Sequence, residues 1–167
     1  MCSSDLVQLA VDLGATVTGV SGPAKAELVR SLGASRVIDH TTTSLRDLGE
    51  QFDAILDIGG HRSVAELRGL LTERGTLVIV GSEGGGRWLG GLERSIGAAL
   101  LSPFVKQTLV MFVSSENAAD LVALNEVIDR GALRPVVEKA FPLEQAAAAV
   151  DHVASGASRG KIVVTPR

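Results

Sequence analysis

The run FDAILDIGG at residues 52–60 decides how this chain is read. It is largely apolar and ends in a Gly-Gly pair, which predicts a buried strand of a parallel sheet. Working downstream, SVAELRGLL (63–71) has helical character and GTLVIVG (75–81) predicts a second buried strand. Upstream, TVTGV (16–20) predicts a short strand rich in β-branched residues. Ser21-Gly22-Pro23 then opens a helix, with Ser or Gly as cap and Pro in the first turn. Ala24, Leu28, Val29 and Leu32 form its apolar face, Gly33 ends it, and RVID (36–39) predicts the next strand. The Thr41–Ser44 cluster precedes a short helix, LRDLGE. Nearer the start, VQLAVDLG has apolar residues at helical spacing and stops at Gly14.

Six glycines punctuate residues 81–91, predicting a mobile loop with Trp88 as a lid or interface residue, or simply a surface loop. LERSIGAALL (92–101) predicts a helix stopped by Pro103, and TLVMFVS (108–114) a further strand. NAADLVALNEVIDRG (117–131) predicts a helix with Leu121, Leu124 and Ile128 inward. RPVVEKAF (134–141) is extended, LEQAAAAVDHVASG (143–156) is helical to Gly156, and KIVV (161–164) is a last strand. Strand and helix alternating at short spacing imply parallel βαβ units in a doubly wound α/β sheet. From about residue 134 the simple alternation stops, so residues 134–167 are expected to form a unit distinct from the sheet of 7–133.

Composition narrows the function. With 46% hydrophobic and 21% charged residues in 167, the chain has a globular composition. The net charge of −3, without a basic run, argues against a nucleic-acid surface. No apolar stretch reaches the roughly 20 residues of a membrane span. One cysteine, Cys2, excludes an internal disulfide framework, and the histidines His40, His61 and His152 are far apart, so no zinc site is expected. There is no GxSxG elbow for a hydrolase triad. Tyrosine is absent, which removes any chemistry that this chain would run on a Tyr acid. The start has neither a basic nor an apolar leader pattern, so a cytoplasmic location is expected.

QLAVDLGATVTGV, KAELVRSLGASRVIDH, FDAILDIGG, GTLVIVG and FPLEQAAAAVDHVASGASRGKIVV, in this order, resemble the nucleotide-binding half of the medium-chain dehydrogenase/reductase superfamily. The resemblance is to its zinc-independent branch of quinone-oxidoreductase-like and NADP-dependent alcohol dehydrogenase-like proteins. It covers residues 7–167 and implies a Rossmann-like fold. Two parts of the family pattern have no counterpart here: the substrate domain, and the first Rossmann strand with its Gly-rich turn. The expectation is a fragment that begins within the helix after that turn, lacks the phosphate cradle, binds NADPH poorly by itself and has no reductase activity. Residues 1–6, MCSSDL, fit that expectation as a non-native scar, because CSSDL is what a common sequencing adapter would encode; the alternative is an ordinary polar start with Ser3 or Ser4 as helix cap.

The resemblance makes the strand at 16–20 the one whose end selects between NAD and NADP. An acidic residue there binds a ribose 2′-hydroxyl, whereas a 2′-phosphate wants cations and hydroxyls. Here the strand ends in Ser21 with no carboxylate, and Lys25 follows in the first helical turn, so NADP(H) is expected over NAD(H). The competing reading has Ser21 as a helix cap and Lys25 as a solvated surface residue. His40 stands where the family often carries an aromatic beside the adenosine, and could stack or donate there, or be an exposed strand-end His; Asp39 is expected to form a turn. Ile58, Gly59 and Gly60 end a strand where ligands approach the backbone. Val80, Gly81 and Ser82 are implied near the nicotinamide, and Phe112 and Val113 are implied to pack at its amide or offer it backbone groups, the alternative for Phe112 being a place in the core. No catalytic residue is named.

The implied activity is hydride transfer between the nicotinamide and a carbonyl, quinone or enone, on a small-molecule substrate. Members dimerise by extending the sheet, and the apolar run at 108–113 predicts a homodimer edge. Two alternatives use the same fold: a non-catalytic nucleotide-sensing module, and a methyltransferase-type domain, against which Ser21 argues.

Overall fold

The computed structural model describes residues 4–80, 105–112, 115 and 117–166. Within them the described residues of 44–116 form one compact unit, and those of 2–43 and 117–167 form another. Every strand pair in both is parallel.

The first unit is a three-stranded sheet. β3 (Phe52–Asp57), β4 (Leu71–Ile79) and β5 (Thr108–Met111) lie in the order β3-β4-β5. Crossover helix α3 (Val64–Gly69) connects the first two, and a 3₁₀ turn (Leu45–Leu48) precedes β3. Ser63 starts α3 because its side chain accepts the Glu66 backbone N–H. β4 is central, so its alternate residues Leu77 and Ile79 are buried with Leu71, against Leu67 of α3 and Leu109 of β5. Leu71 and Leu77 are fully buried, each contributing about 1.5–3 kcal/mol by removal from water.

The second unit holds two separate two-stranded ladders. β1 (Thr18–Ser21) pairs β2 (Arg36–Asp39), with α2 (Pro23–Ser31) as the crossover packed on both. β6 (Val137–Pro142) pairs β7 (Lys161–Thr165), joined by a 3₁₀ turn (Leu143–Gln145) and α5 (Ala146–Ala154). Two further helices, α1 (Ser4–Asp12) and α4 (Ala118–Asp129), complete it. Long-range polar ties hold these pieces: Arg130 forks both carboxylate oxygens of Asp12, and Lys161 pairs with Asp5. The Gln8 amide both accepts from the Arg134 N–H and donates to its carbonyl. Arg130 therefore holds the Asp12 carboxyl below its ordinary range, mainly through the hydrogen bond. Glycines end the helices as expected: Gly33 follows α2 with φ +105°, and Gly131 follows α4 with φ +77°.

Several sequence expectations are corrected. The strand FDAILDIGG is not buried on both faces: Asp53, Ala54 and Leu56 are exposed, and among the described residues β3 lies at the edge of its sheet with β4 as its one partner. The α4 residues Leu121 and Leu124 are exposed, and only Ile128 is half-buried, so the face does not point inward. In this unit the ladders are instead covered by α2, on β1 and β2, and by α5, on β7. The helix expected over 63–71 stops at Gly69, and Leu71 already belongs to β4. Ser21 is the last residue of β1 rather than a cap; Gly22 takes the N-cap place without a side-chain bond. The parallel α/β architecture stands as expected; among the described residues its strands fall into three sheets, with β1 paired with β2 alone. The loop and helix expected over 81–101, with Trp88, lie outside the described residues.

Candidate functional site

Parallel strands aligned in register end at the same side of their sheet, and in α/β folds ligands bind outside those carboxyl ends. The chain has two such ends bearing the residues singled out from sequence, one in each unit.

In the second unit, β1 and β2 run in register with Ser21 opposite Asp39. The His40 N–H extends the ladder by donating to the Ser21 carbonyl, at 3.2 Å. The chain then turns sharply through Gly22 into α2, with Pro23 at the first helical position. Lys25 lies in that first turn, where its backbone N–H donates to the Gly22 carbonyl at 3.1 Å. The Ser21 hydroxyl donates to the same carbonyl, also at 3.1 Å. His40 is exposed and its Nε2 lies against Gly22: a β-carbon there would come within 3.7 Å of it. Ser21, Gly22, Lys25 and His40 are thus gathered at one strand end, beside the positive pole of a helix.

The one carboxylate at this end is already engaged. Asp39 Oδ1 accepts from the Thr41 hydroxyl at 2.6 Å and the Thr41 N–H at 2.8 Å. Those two bonds hold the Asp39 carboxyl below its ordinary range, so it stays ionised and tied into the turn. The turn-forming role expected of Asp39 is what the geometry shows.

In the first unit, β3, β4 and β5 end side by side. The Val80 N–H donates to the Asp57 carbonyl at 2.9 Å, and the Phe112 N–H to the Ile79 carbonyl at 3.0 Å. Ile58, Gly59 and Gly60 follow β3 and are half-buried. Gly60 has φ +69°, a conformation glycine adopts without strain. Its N–H is held by Asp57 Oδ1 at 3.2 Å, which closes the turn. Sequence reasoning did not single out Asp57, although an Asp three residues ahead of a glycine is a recognisable turn signal. His61 also borders this turn, 3.4 Å from where a Gly59 β-carbon would stand. Phe112 is exposed rather than part of a core. The structure thus brings Ile58, Gly59, Gly60, Val80 and Phe112 to one sheet end; Gly81, Ser82 and Val113 lie outside the described residues.

A groove of about 420 Å³ in the second unit, lined by Gln8, Asp12, Leu32 and Arg134 among others, lies toward the far end of α2 from Lys25 and includes none of the expected residues. Among the described residues no group of three or more His, Cys, Asp or Glu is placed to hold a metal ion. No helix among them is long and apolar enough to cross a membrane.

Residues 32–164 match the family model described as zinc-binding dehydrogenase. The chain is 33% identical over 174 residues to a mitochondrial NAD(P)H oxidoreductase of Mus musculus, covering 95% of this chain and 43% of that protein. It is 30% identical over 152 residues to the chloroplastic NADPH-dependent alkenal/one oxidoreductase of Arabidopsis thaliana, covering 90% of this chain and 33% of that protein. Among solved structures it resembles the quinone oxidoreductase from Coxiella burnetii with a TM-score of 0.78 at 24% identity, over 98% of this chain and 49% of that one. The chain therefore spans less than half the length of these three proteins.

Proposed function

This chain belongs to the zinc-binding dehydrogenase family within the medium-chain dehydrogenase/reductase superfamily, and from that premise we propose that it is the nucleotide-binding part of an NADP-dependent oxidoreductase acting on a carbonyl, quinone or enone. The observation that carries the reading is the strand end of β1 and β2. Ser21 and Lys25 stand there with His40, and the nearby carboxylate of Asp39 is occupied by Thr41. A 2′-phosphate fits such a place, since it needs cations and hydroxyl donors, and β1 itself ends without a carboxylate. The glycine at the turn leaves the backbone open to a close ligand, with the His40 ring alongside.

In this reading Ser21, Lys25 and His40 hold the phosphorylated ribose. Ile58, Gly59, Gly60, Val80 and Phe112 are proposed to meet the nicotinamide end, with Asp57 fixing the shape of the glycine turn. Gly81, Ser82 and Val113 belong to the same proposal. When bound, the nicotinamide supplies or accepts the hydride, and the protein's part is position and polarity. We propose that the chain contributes no zinc ligands, its donors being one cysteine and three scattered histidines. A small-molecule substrate, a homodimer through residues 108–113 and a cytoplasmic location complete the proposal. The sensing-module alternative is not favoured, since the matched relatives carry oxidoreductase names.

The test is NMR titration of the chain, which reaches millimolar affinities, with NADPH and NADH before and after Lys25→Glu. A charge-assisted hydrogen bond of about 1.5–3 kcal/mol corresponds to roughly one to two decades of NADPH affinity. NADH binding should change little. Equal losses for both cofactors would place Lys25 away from the 2′-phosphate and refute the assignment.

A further inference from the structure

We propose that Asp57 is a positioning residue for the nicotinamide half of the cofactor: its side chain holds the Ile58-Gly59-Gly60 turn in the shape that receives a ligand, and it acts on that half alone. The proposal rests on the reading of this sheet end as the nicotinamide end. Asp57 is the last residue of β3 and lies opposite Ile79, the last residue of β4. From that one place it serves two neighbours. Its backbone carbonyl accepts the Val80 N–H at 2.9 Å. Its side-chain Oδ1 accepts the Gly60 N–H at 3.2 Å. The Ile79 carbonyl in turn accepts the Phe112 N–H at 3.0 Å. The backbone at Gly60, Val80 and Phe112 is thus tied at the ends of β3, β4 and β5, and of these three ties the one at Gly60 depends on a side chain.

Two glycines in succession have little conformational preference of their own, and ordering them loses more backbone entropy than ordering other residues. Gly60 stands at φ +69°, and the aspartate three residues back selects that state by accepting its N–H. One flank of the turn is taken by His61, whose Cδ2 would lie 3.4 Å from a β-carbon on Gly59. Without the Asp57 bond the turn samples other conformations, and a ligand then binds only the fraction that keeps the receptive one. Apparent affinity falls by that fraction. An acceptor oxygen suffices for the bond, so asparagine can stand in for aspartate here and alanine cannot. Ser21, Lys25 and His40 belong to the other compact unit, so the loss is confined to ligands that reach the glycine turn.

The experiment uses reduced nicotinamide mononucleotide and 2′,5′-ADP, which together make up the phosphorylated cofactor. Each is titrated by NMR into the natural 167-residue chain, Asp57→Ala and Asp57→Asn. Expected in Asp57→Ala is about a fivefold loss of affinity for the mononucleotide, the weight of one hydrogen bond, with 2′,5′-ADP binding unchanged. Asp57→Asn should bring the mononucleotide affinity back to within about twofold of the natural chain. A loss for both probes alike in Asp57→Ala, or a mononucleotide loss that Asp57→Asn does not restore, overturns the positioning role. If the mononucleotide shifts the resonances of residues 58–60 in the natural chain and binds Asp57→Ala as tightly, the proposal fails and the reading of the sheet end survives. If it leaves those resonances unmoved at millimolar concentration, both fail.

Discussion

Replacing Gly19 with Ala should destabilise the second unit although the added group is a single methyl. Gly19 sits in β1 directly beneath α2, and a β-carbon there would lie 2.4 Å from Val29 Cγ1. Ordinary contacts between carbons lie at about 3.5–4.0 Å, so the overlap exceeds an ångström. Val29 cannot turn away, since a β-branched side chain in a helix is held to one χ1 rotamer. The helix itself must lift from the strand. Overpacking of this kind costs about 1–3 kcal/mol, offset by the smaller gain from a less mobile unfolded chain of about 0.4–1 kcal/mol. The net loss is then up to about 2.6 kcal/mol, and at roughly 2–4 °C per kcal/mol for a chain of this size the melting temperature should fall by up to about 10 °C. The control is Val29→Ala, which removes the obstructing methyl. In the double variant the clash is gone, and a coupling of about 1–2 kcal/mol should appear between two sites that touch. Thermal melts of the four proteins read this directly. Gly19→Ala as stable as the natural chain, or a double variant losing the sum of the two single losses, would refute the reasoning. Because α2 also carries Lys25, the lifted helix should weaken NADPH binding more than NADH binding.

Leu77→Ala, in the fully buried centre of β4, should cost about 2–5 kcal/mol by chemical denaturation; a loss under 1 kcal/mol would contradict its place in the core. Glu138 accepts the backbone N–H groups of Arg159 and Gly160 and contacts His152, and the two backbone bonds chiefly hold its carboxyl below the ordinary range. Its stabilising effect is therefore complete above the unfolded-chain value of about 4.3 and is lost as pH falls through the lower folded value. Glu138→Gln should lower the melting temperature at pH 7 and flatten its decline below pH 4.5; parallel profiles for the two proteins would count against this. In β5, Val110 and Met111 are exposed at the sheet edge, so Val110→Pro or Met111→Lys should abolish the proposed dimer in light scattering. A dimer that persists in both variants removes the interface.

Local chemistry alone determined where most elements begin and end. Ser63 caps α3 and Asn117 caps α4, while Gly33, Gly131 and Gly156 stop their helices at positive φ. Such signals act over three or four residues, within reach of one hydrogen bond or one backbone dihedral, and so are written in the string itself. The alternation of strand and helix likewise carried the parallel α/β architecture and the superfamily. Burial was another matter. A run such as FDAILD looks the same whether strands flank it on both sides or on one, and only the ladder places β3 at an edge with Leu56 exposed. The apolar face of α4 could be read, but not what covers it. The contacts that join distant segments were equally silent: Gln8 on the Arg134 backbone, Lys161 on Asp5, and the Glu138 carboxylate on the turn before β7. The site divides the same way. Ser21 and Lys25 were legible by their chemistry, while the seating of His40 against Gly22 and the capture of Asp39 by Thr41 needed the register of β1 on β2. Pairing between strands depends on groups fifteen or more residues apart in the chain, and their meeting is decided by the packing of the whole unit rather than by any neighbour in sequence.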